Sequence, residues 1–200
     1  MGGTLESDDL TPQRAADWGR ALSRFHTAHP QLENDEHCAP PLLRDLRAAS
    51  QNGLVPASIR GHALRLIEAL SQLRDDAGVV GMIHGDPELD NLCWLDDSQN
   101  SPVWIDLDRY ASGWFAADMC FALRDLAPAG EAPDPEHPLV AAFLRGYGDH
   151  RPVSTDEIEW WPHFASAHAV LTVVSVSEAS GEADLLAPSQ TRASRLGSGR

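Results

Sequence analysis

Two short apolar runs, Leu92–Leu95 and Pro102–Ile105, are separated by the polar hexapeptide DDSQNS. Each run is too short for a helix and carries aromatic or β-branched residues, while the hexapeptide has turn composition, so the pattern predicts an antiparallel hairpin. In such a hairpin the entrance of the first strand and the exit of the second are neighbours. Those two positions hold Asn91 and Asp106. A third apolar stretch, Gly78–Ile83, reads as a strand or extended lead-in and runs directly into His84, Gly85 and Asp86. The hairpin therefore predicts that two acidic segments of the chain meet.

The rest of the chain reads mostly as helix. Thr11 before Pro12 gives a cap and a first helical residue. Ala15, Trp18, Leu22 and Phe25 recur at helical spacing, predicting a helix over Pro12–Ala28. A weaker pattern covers Leu42–Ala49, and a stronger one covers Ile59–Leu73, with Leu64, Ile67 and Leu70 among its apolar positions. Ala116–Leu126 and Leu139–Tyr147 are helical, separated by the Pro-rich loop APAGEAPDPEHP. Ser154 with Glu157 matches a capping box opening a long helix to about Ser177. The expected class is α+β, mostly helical with one small hairpin. One domain is expected over residues 10–187, with flexible tails at 1–9 and 188–200.

Composition narrows the partners. Two hundred residues, 42% of them hydrophobic, suit one folded domain. A net charge of −15 disfavours nucleic acid and anionic membrane, and permits a cationic small-molecule substrate. No apolar run reaches membrane-spanning length, and the first residues lack the order of a secretory signal, so the expectation is a cytoplasmic chain. Cys38, Cys93 and Cys120 read as buried thiols.

The chemistry sits in "GMIHGDPELDNLCWLDD" and "VWIDLDRY". His84-Gly85-Asp86, four residues, then Asn91 has the H-x-D-x-x-x-x-N spacing of kinase catalytic loops. Such chemistry needs a carboxylate to orient and deprotonate a hydroxyl, here Asp86. It needs hard oxygen ligands for Mg²⁺, here the amide of Asn91 and the carboxylate of Asp106. His84 is expected to brace the loop, and Asp108 to support the metal-binding residues through hydrogen bonds, with a further metal ligand as the alternative. Asp118 reads as a helix-start carboxylate accepting backbone N–H groups. Glu88 and Asp90 read as solvated charge, and most Trp residues as core, with Trp114 a candidate for a pocket wall. His26 with His29, and His163 with His168, lack a third metal ligand and read as ordinary histidines.

These residues resemble a known family. "IHGDPELDNLCWLDD" followed by "VWIDLDRYASGWFAADMCFALRDL" is similar to the aminoglycoside phosphotransferase and choline kinase-like enzymes. "ADWGRALSRFHTAHP" and "FLRGYGDHRPVSTDEIEWWPHFASAHAVL" extend the resemblance to roughly residues 10–178. The resemblance implies the C-terminal lobe of a protein kinase-like fold, and ATP-dependent transfer of phosphate to a hydroxyl of a small molecule. It implies Asp86 as the base, Asn91 and Asp106 as holders of Mg²⁺ beside ATP, and Asp118 as a structural helix residue. Members of that family also carry a small nucleotide-covering lobe with a phosphate-contacting Lys. No Gly-rich loop precedes the motif here, and all fifteen Lys and Arg residues are Arg. An Arg fork is not a geometric substitute for an ammonium point charge. The expectation is that the chain alone binds ATP weakly and turns over poorly. The alternatives are a non-catalytic remnant or binding module, or half of a split enzyme. The half-enzyme reading needs a separate N-terminal lobe, with a partner chain or self-association at the surface where it docks.

Overall fold

A computed structural model describes residues 10–28, 41–73, 78–94 and 102–180. Leu95, the hexapeptide turn, Cys38, His29 and both expected tails lie outside them. The order is α1 (Pro12–Ala28), α2 (Pro41–Gln51), α3 (Ala57–Leu70), β1 (Val80–Ile83), a 3₁₀ turn (Leu89–Asn91), β2 (Leu92–Cys93) and β3 (Val103–Trp104). Then follow β4 (Ala111–Trp114), α4 (Phe115–Ala122), a second 3₁₀ turn (Arg124–Leu126), α5 (Pro138–Tyr147), α6 (Thr155–Glu159) and α7 (Trp161–Ser180).

The four residues that carry the α1 pattern are all buried. α1 lies backbone to backbone against α5: a Cβ at Gly19 would overlap the Phe143 carbonyl, and one at Gly146 the Ala16 carbonyl. Around this contact Trp18, Leu22, Phe143 and Tyr147 join Leu92, Met119, Trp161 and Phe164 in one core. In α3 the inward face is Ala63, Leu66 and Leu70, whereas Leu64 is 57% exposed. The apolar stripe is thus rotated from the one the sequence pattern suggests.

Two antiparallel ribbons frame the motif. β2 pairs β3 in the register Leu92↔Trp104, as the two apolar runs predict. β1 pairs β4, from Val80↔Trp114 to Ile83↔Ala111. The β4 segment, Ala-Ser-Gly-Trp, has no strand signal of its own, and its partner decides its conformation. The expected single helix from Ser154 is broken at Trp160. Pro162 has no N–H to give to Ile158, and it sits well as the second residue of a new helix. The Ser154–Glu157 capping box itself is present.

Candidate active site

The loop from His84 to Asn91 is closed on itself. The Asn91 Nδ2–H donates to the Asp86 carbonyl at 2.9 Å, and the Glu88 N–H donates to the same carbonyl at 2.9 Å. Gly85 holds φ +81°, and a Cβ there would overlap the Arg109 carbonyl. Glycine is needed both for the left-handed turn and for the close approach.

His84 is fully buried and joins the two acidic segments. Its Nε2–H donates to the Ile105 carbonyl at 3.1 Å, and its Nδ1 accepts the Asp86 N–H at 3.3 Å. The Ile105 N–H donates to the Asn91 carbonyl at 2.9 Å. The backbones at Asn91 and Ile105 are therefore hydrogen-bonded neighbours, with Asp106 next in the chain. Asp106 is exposed and takes φ 57°, a left-handed conformation that Asp tolerates better than most residues. Strain of this sort clusters at functional sites. Asp108 is exposed too.

Asp118 has no exposed surface and is held differently from the sequence expectation. It accepts not from its own helix but from the backbone of the His84–Asn91 loop: His84 N–H to Oδ2 and Gly85 N–H to Oδ1, both at 2.9 Å. The third donor is the His26 Nε2–H, also at 2.9 Å. Beyond it lie Tyr147, whose hydroxyl is 2.7 Å from His26 Nδ1, and Arg151, which bonds the Gly78 carbonyl and Glu157, each at 2.6 Å. Burial, opposed by Asp118, lowers the His26 pKa, and burial raises that of Tyr147. No sequence signal marks His26 for this role, because its partners lie 92 and 121 residues away along the chain.

Arg124 carries no sequence signal either. Its guanidinium stands 3.8 Å from Asp86, pairs closely with Glu88, and donates to the Phe121 carbonyl at 3.2 Å. Glu88 is thus ion-paired rather than merely solvated, while Asp90 is exposed as expected. A cavity of about 520 Å³ opens beside Asp86, with Asp45, Arg109, Arg124, His168 and Glu178 around an apolar floor of Phe121 and Leu171. Burial, followed by the field of Arg124, lowers the His168 pKa. Trp114 is buried and does not line this cavity; it borders one of about 150 Å³ near Trp160 and Phe164 and one of about 290 Å³ shared with Gly85, Asp108 and Arg109. The Cys120 thiol is buried and pushed up to about 12 by desolvation, whereas Cys93 is half-buried.

Among the described residues no three His, Cys, Asp or Glu side chains form a metal cluster. The donor set of Asn91 and Asp106 still fits Mg²⁺, which takes hard oxygen ligands and keeps several waters, so two protein ligands are enough. No described helix is long and apolar enough to cross a membrane.

This architecture is that of a kinase-like C-terminal lobe. It is similar to an amicoumacin kinase, hAmiN, solved with AMP-PNP, Ca²⁺ and Ami (TM-score 0.70, 19% identity). That match covers 89% of this chain and 55% of the other. It is similar to choline kinase LicA from Streptococcus pneumoniae (TM-score 0.62, 17% identity, 90% and 60% covered). An aminoglycoside-3'-phosphotransferase of type VIII also matches (TM-score 0.50, 22% identity, 78% and 61% covered). The chain thus spans little more than half the length of these structures. No curated protein is significantly similar in sequence. The profile of the phosphotransferase enzyme family, APH, matches residues 2–175, and the chain belongs to that family.

Proposed function

We propose that the chain carries the catalytic half of an ATP-dependent phosphotransferase acting on a hydroxyl of a small molecule. The observation that carries this reading is the bridge made by His84. One buried ring ties the Asp86 loop to the segment leading into Asp106, while Asn91 hydrogen-bonds to both. Asp86 accepts the acceptor hydroxyl's proton as its oxygen attacks the terminal phosphorus and the bond to the nucleoside diphosphate breaks. Asn91 and Asp106 would hold Mg²⁺, which supplies charge neutralisation to phosphate oxygens when bound. The cavity beside Asp86 suits the acceptor. Arg109 and Arg124, the latter already paired with Glu88, offset only part of the charge of Asp45, Asp86 and Glu178, so the wall stays acidic and suits a polar or cationic acceptor. AMP-PNP and Ca²⁺ in a solved relative support the nucleotide and the divalent ion.

A second reading is favoured by the absence of Lys from all 200 residues. The chain then serves as a binding module, or works with a nucleotide-covering lobe from a separate chain. Calorimetric titration of Mg²⁺ with ATP into the chain and into Asp106→Ala tests the site. Heat from the wild type that is lost in the variant supports it, and equal heats from both remove the metal assignment. A steady ATP-dependent phosphorylation rate from the purified chain alone removes the second reading.

A further inference from the structure

The cavity beside Asp86 does not end at its floor of Phe121 and Leu171. A second cavity, of about 290 Å³, adjoins it, and five residues border both: Asp45, Gly85, Arg109, Phe121 and Leu171. We infer that the two are chambers of one acceptor site, and that the acceptor is an amphiphilic alcohol. Its polar or cationic end lies in the larger chamber, and an aromatic or alkyl body fills the smaller one. The inference rests on the reading of Asp86 as the base, which puts the reacting hydroxyl in the larger chamber.

The two chambers differ in chemistry. The smaller is walled by Leu42, Ile83, Trp114 and Ala117, each less than a tenth exposed. Its charged residues are Arg44, Asp45, Asp108 and Arg109, two of each sign, so no net charge is left to attract an ion. Arg44 and Arg109 are more than half exposed and Asp108 is exposed, which puts these charges at the rim. An excess of negative charge belongs to the larger chamber alone, where Asp86 and Glu178 face an Arg124 already paired with Glu88. Size agrees with this division. A cavity of about 150 Å³ already holds a benzene ring. The smaller chamber, at about 290 Å³, therefore takes a ring with room to spare, and the two chambers together suit a drug-sized ligand. At the junction Phe121 and Leu171 offer apolar surface to both chambers, and His168 flanks Phe121 with ring centres 5.0 Å apart. A compact polar acceptor would leave the apolar wall of the smaller chamber in water. An acceptor with an apolar body covers it, and burying a phenyl-sized group raises affinity by about tenfold or more.

The test uses the whole chain and two probes, alaninol and phenylalaninol. Both carry an ammonium and a hydroxyl, and only the second carries a phenyl ring. NMR titration gives the two affinities, and intermolecular NOEs locate the ring. Wild type is expected to bind phenylalaninol about tenfold or more tightly than alaninol, with ring NOEs to Trp114 and Ala117. Ala111→Phe puts a ring into the smaller chamber from a strand position, where an aromatic residue is well suited. It is expected to bring the two affinities within about twofold of each other by lowering that of phenylalaninol alone. Equal affinities in wild type, binding of neither probe, or a preference that survives intact in Ala111→Phe overturns the inference. If Ala111→Phe does not fold, the wild-type NOEs decide: ring contacts to Trp114 and Ala117 support the inference, and contacts confined to other residues overturn it. No nucleotide or metal enters the comparison. A failure to bind Mg²⁺ and ATP therefore removes the phosphotransferase reading and leaves the two-chamber site standing.

Discussion

Lowering the pH should weaken the fold through one histidine, and the size of the effect follows from where that histidine lies. The His26 side chain is wholly buried, and desolvation holds its pKa below the ordinary value of 6.5 despite the adjoining Asp118. The unfolded chain exposes the ring and binds a proton at the ordinary pKa. Between that value and the lower folded one the unfolded state carries more protons, so stability rises with pH. The contribution is complete above about pH 7.5 and declines as the pH falls past 6.5 towards the folded value. Its slope cannot exceed about 1.4 kcal/mol per pH unit, so moving from about pH 7.5 to about pH 5.5 removes up to about 1.4 kcal/mol. Other groups titrate in this range, His168 among them, with its pKa also lowered by burial. The measurement is therefore a difference: urea unfolding of wild type and of His26→Gln at several pH values. Gln does not titrate yet donates a similar hydrogen bond, so the variant should lose less stability on acidification than wild type. Equal losses would refute the argument, because they would mean that the His26 proton affinity is the same folded and unfolded.

Three further outcomes follow from the packing and the site. Gly85→Ala should cost about 1–2 kcal/mol for the left-handed conformation alone, and more for its overlap with the Arg109 carbonyl; urea unfolding reads the stability and NMR reads the loop. Leu66→Ala should cost about 2–5 kcal/mol, whereas Leu64→Ala, on the exposed face of the same helix, should stay within about 0.5 kcal/mol; thermal unfolding of the pair checks the orientation of α3. Asp118→Ala leaves two buried N–H donors and one half-buried one without their acceptor and should cost about 3 kcal/mol or more, with the His84 and Gly85 amides losing protection from exchange before those of α5.

What the sequence reveals and what it hides divide along chain separation. The β2–β3 ribbon is legible because its two runs and the polar hexapeptide between them are contiguous. The spacing from His84 to Asn91 is legible because one loop must close on itself. β4 is not, since Ala-Ser-Gly-Trp becomes a strand only where Val80–Ile83 offers it an edge. Leu64 misleads because α3 is apolar on more than one face, and only the neighbouring helices decide which face turns inward. Pro162 is a visible break that the long apolar pattern after Ser154 obscures. His26 is the extreme case: its partners lie 92 and 121 residues away, and nothing local distinguishes it from a core histidine. Yet one end of its network is a local motif. Glu157 accepts the Ser154 N–H on Oε2, which is the capping box, and binds Arg151 with Oε1. A single carboxylate thus starts a helix and anchors the cation that leads, through Tyr147 and His26, to Asp118 and the loop of Asp86. A capping box need only satisfy a helix end. The second oxygen also ties this one, through Arg151, Tyr147 and His26, to Asp118, at the cost of burying an ion pair whose desolvation leaves little net gain expected for stability.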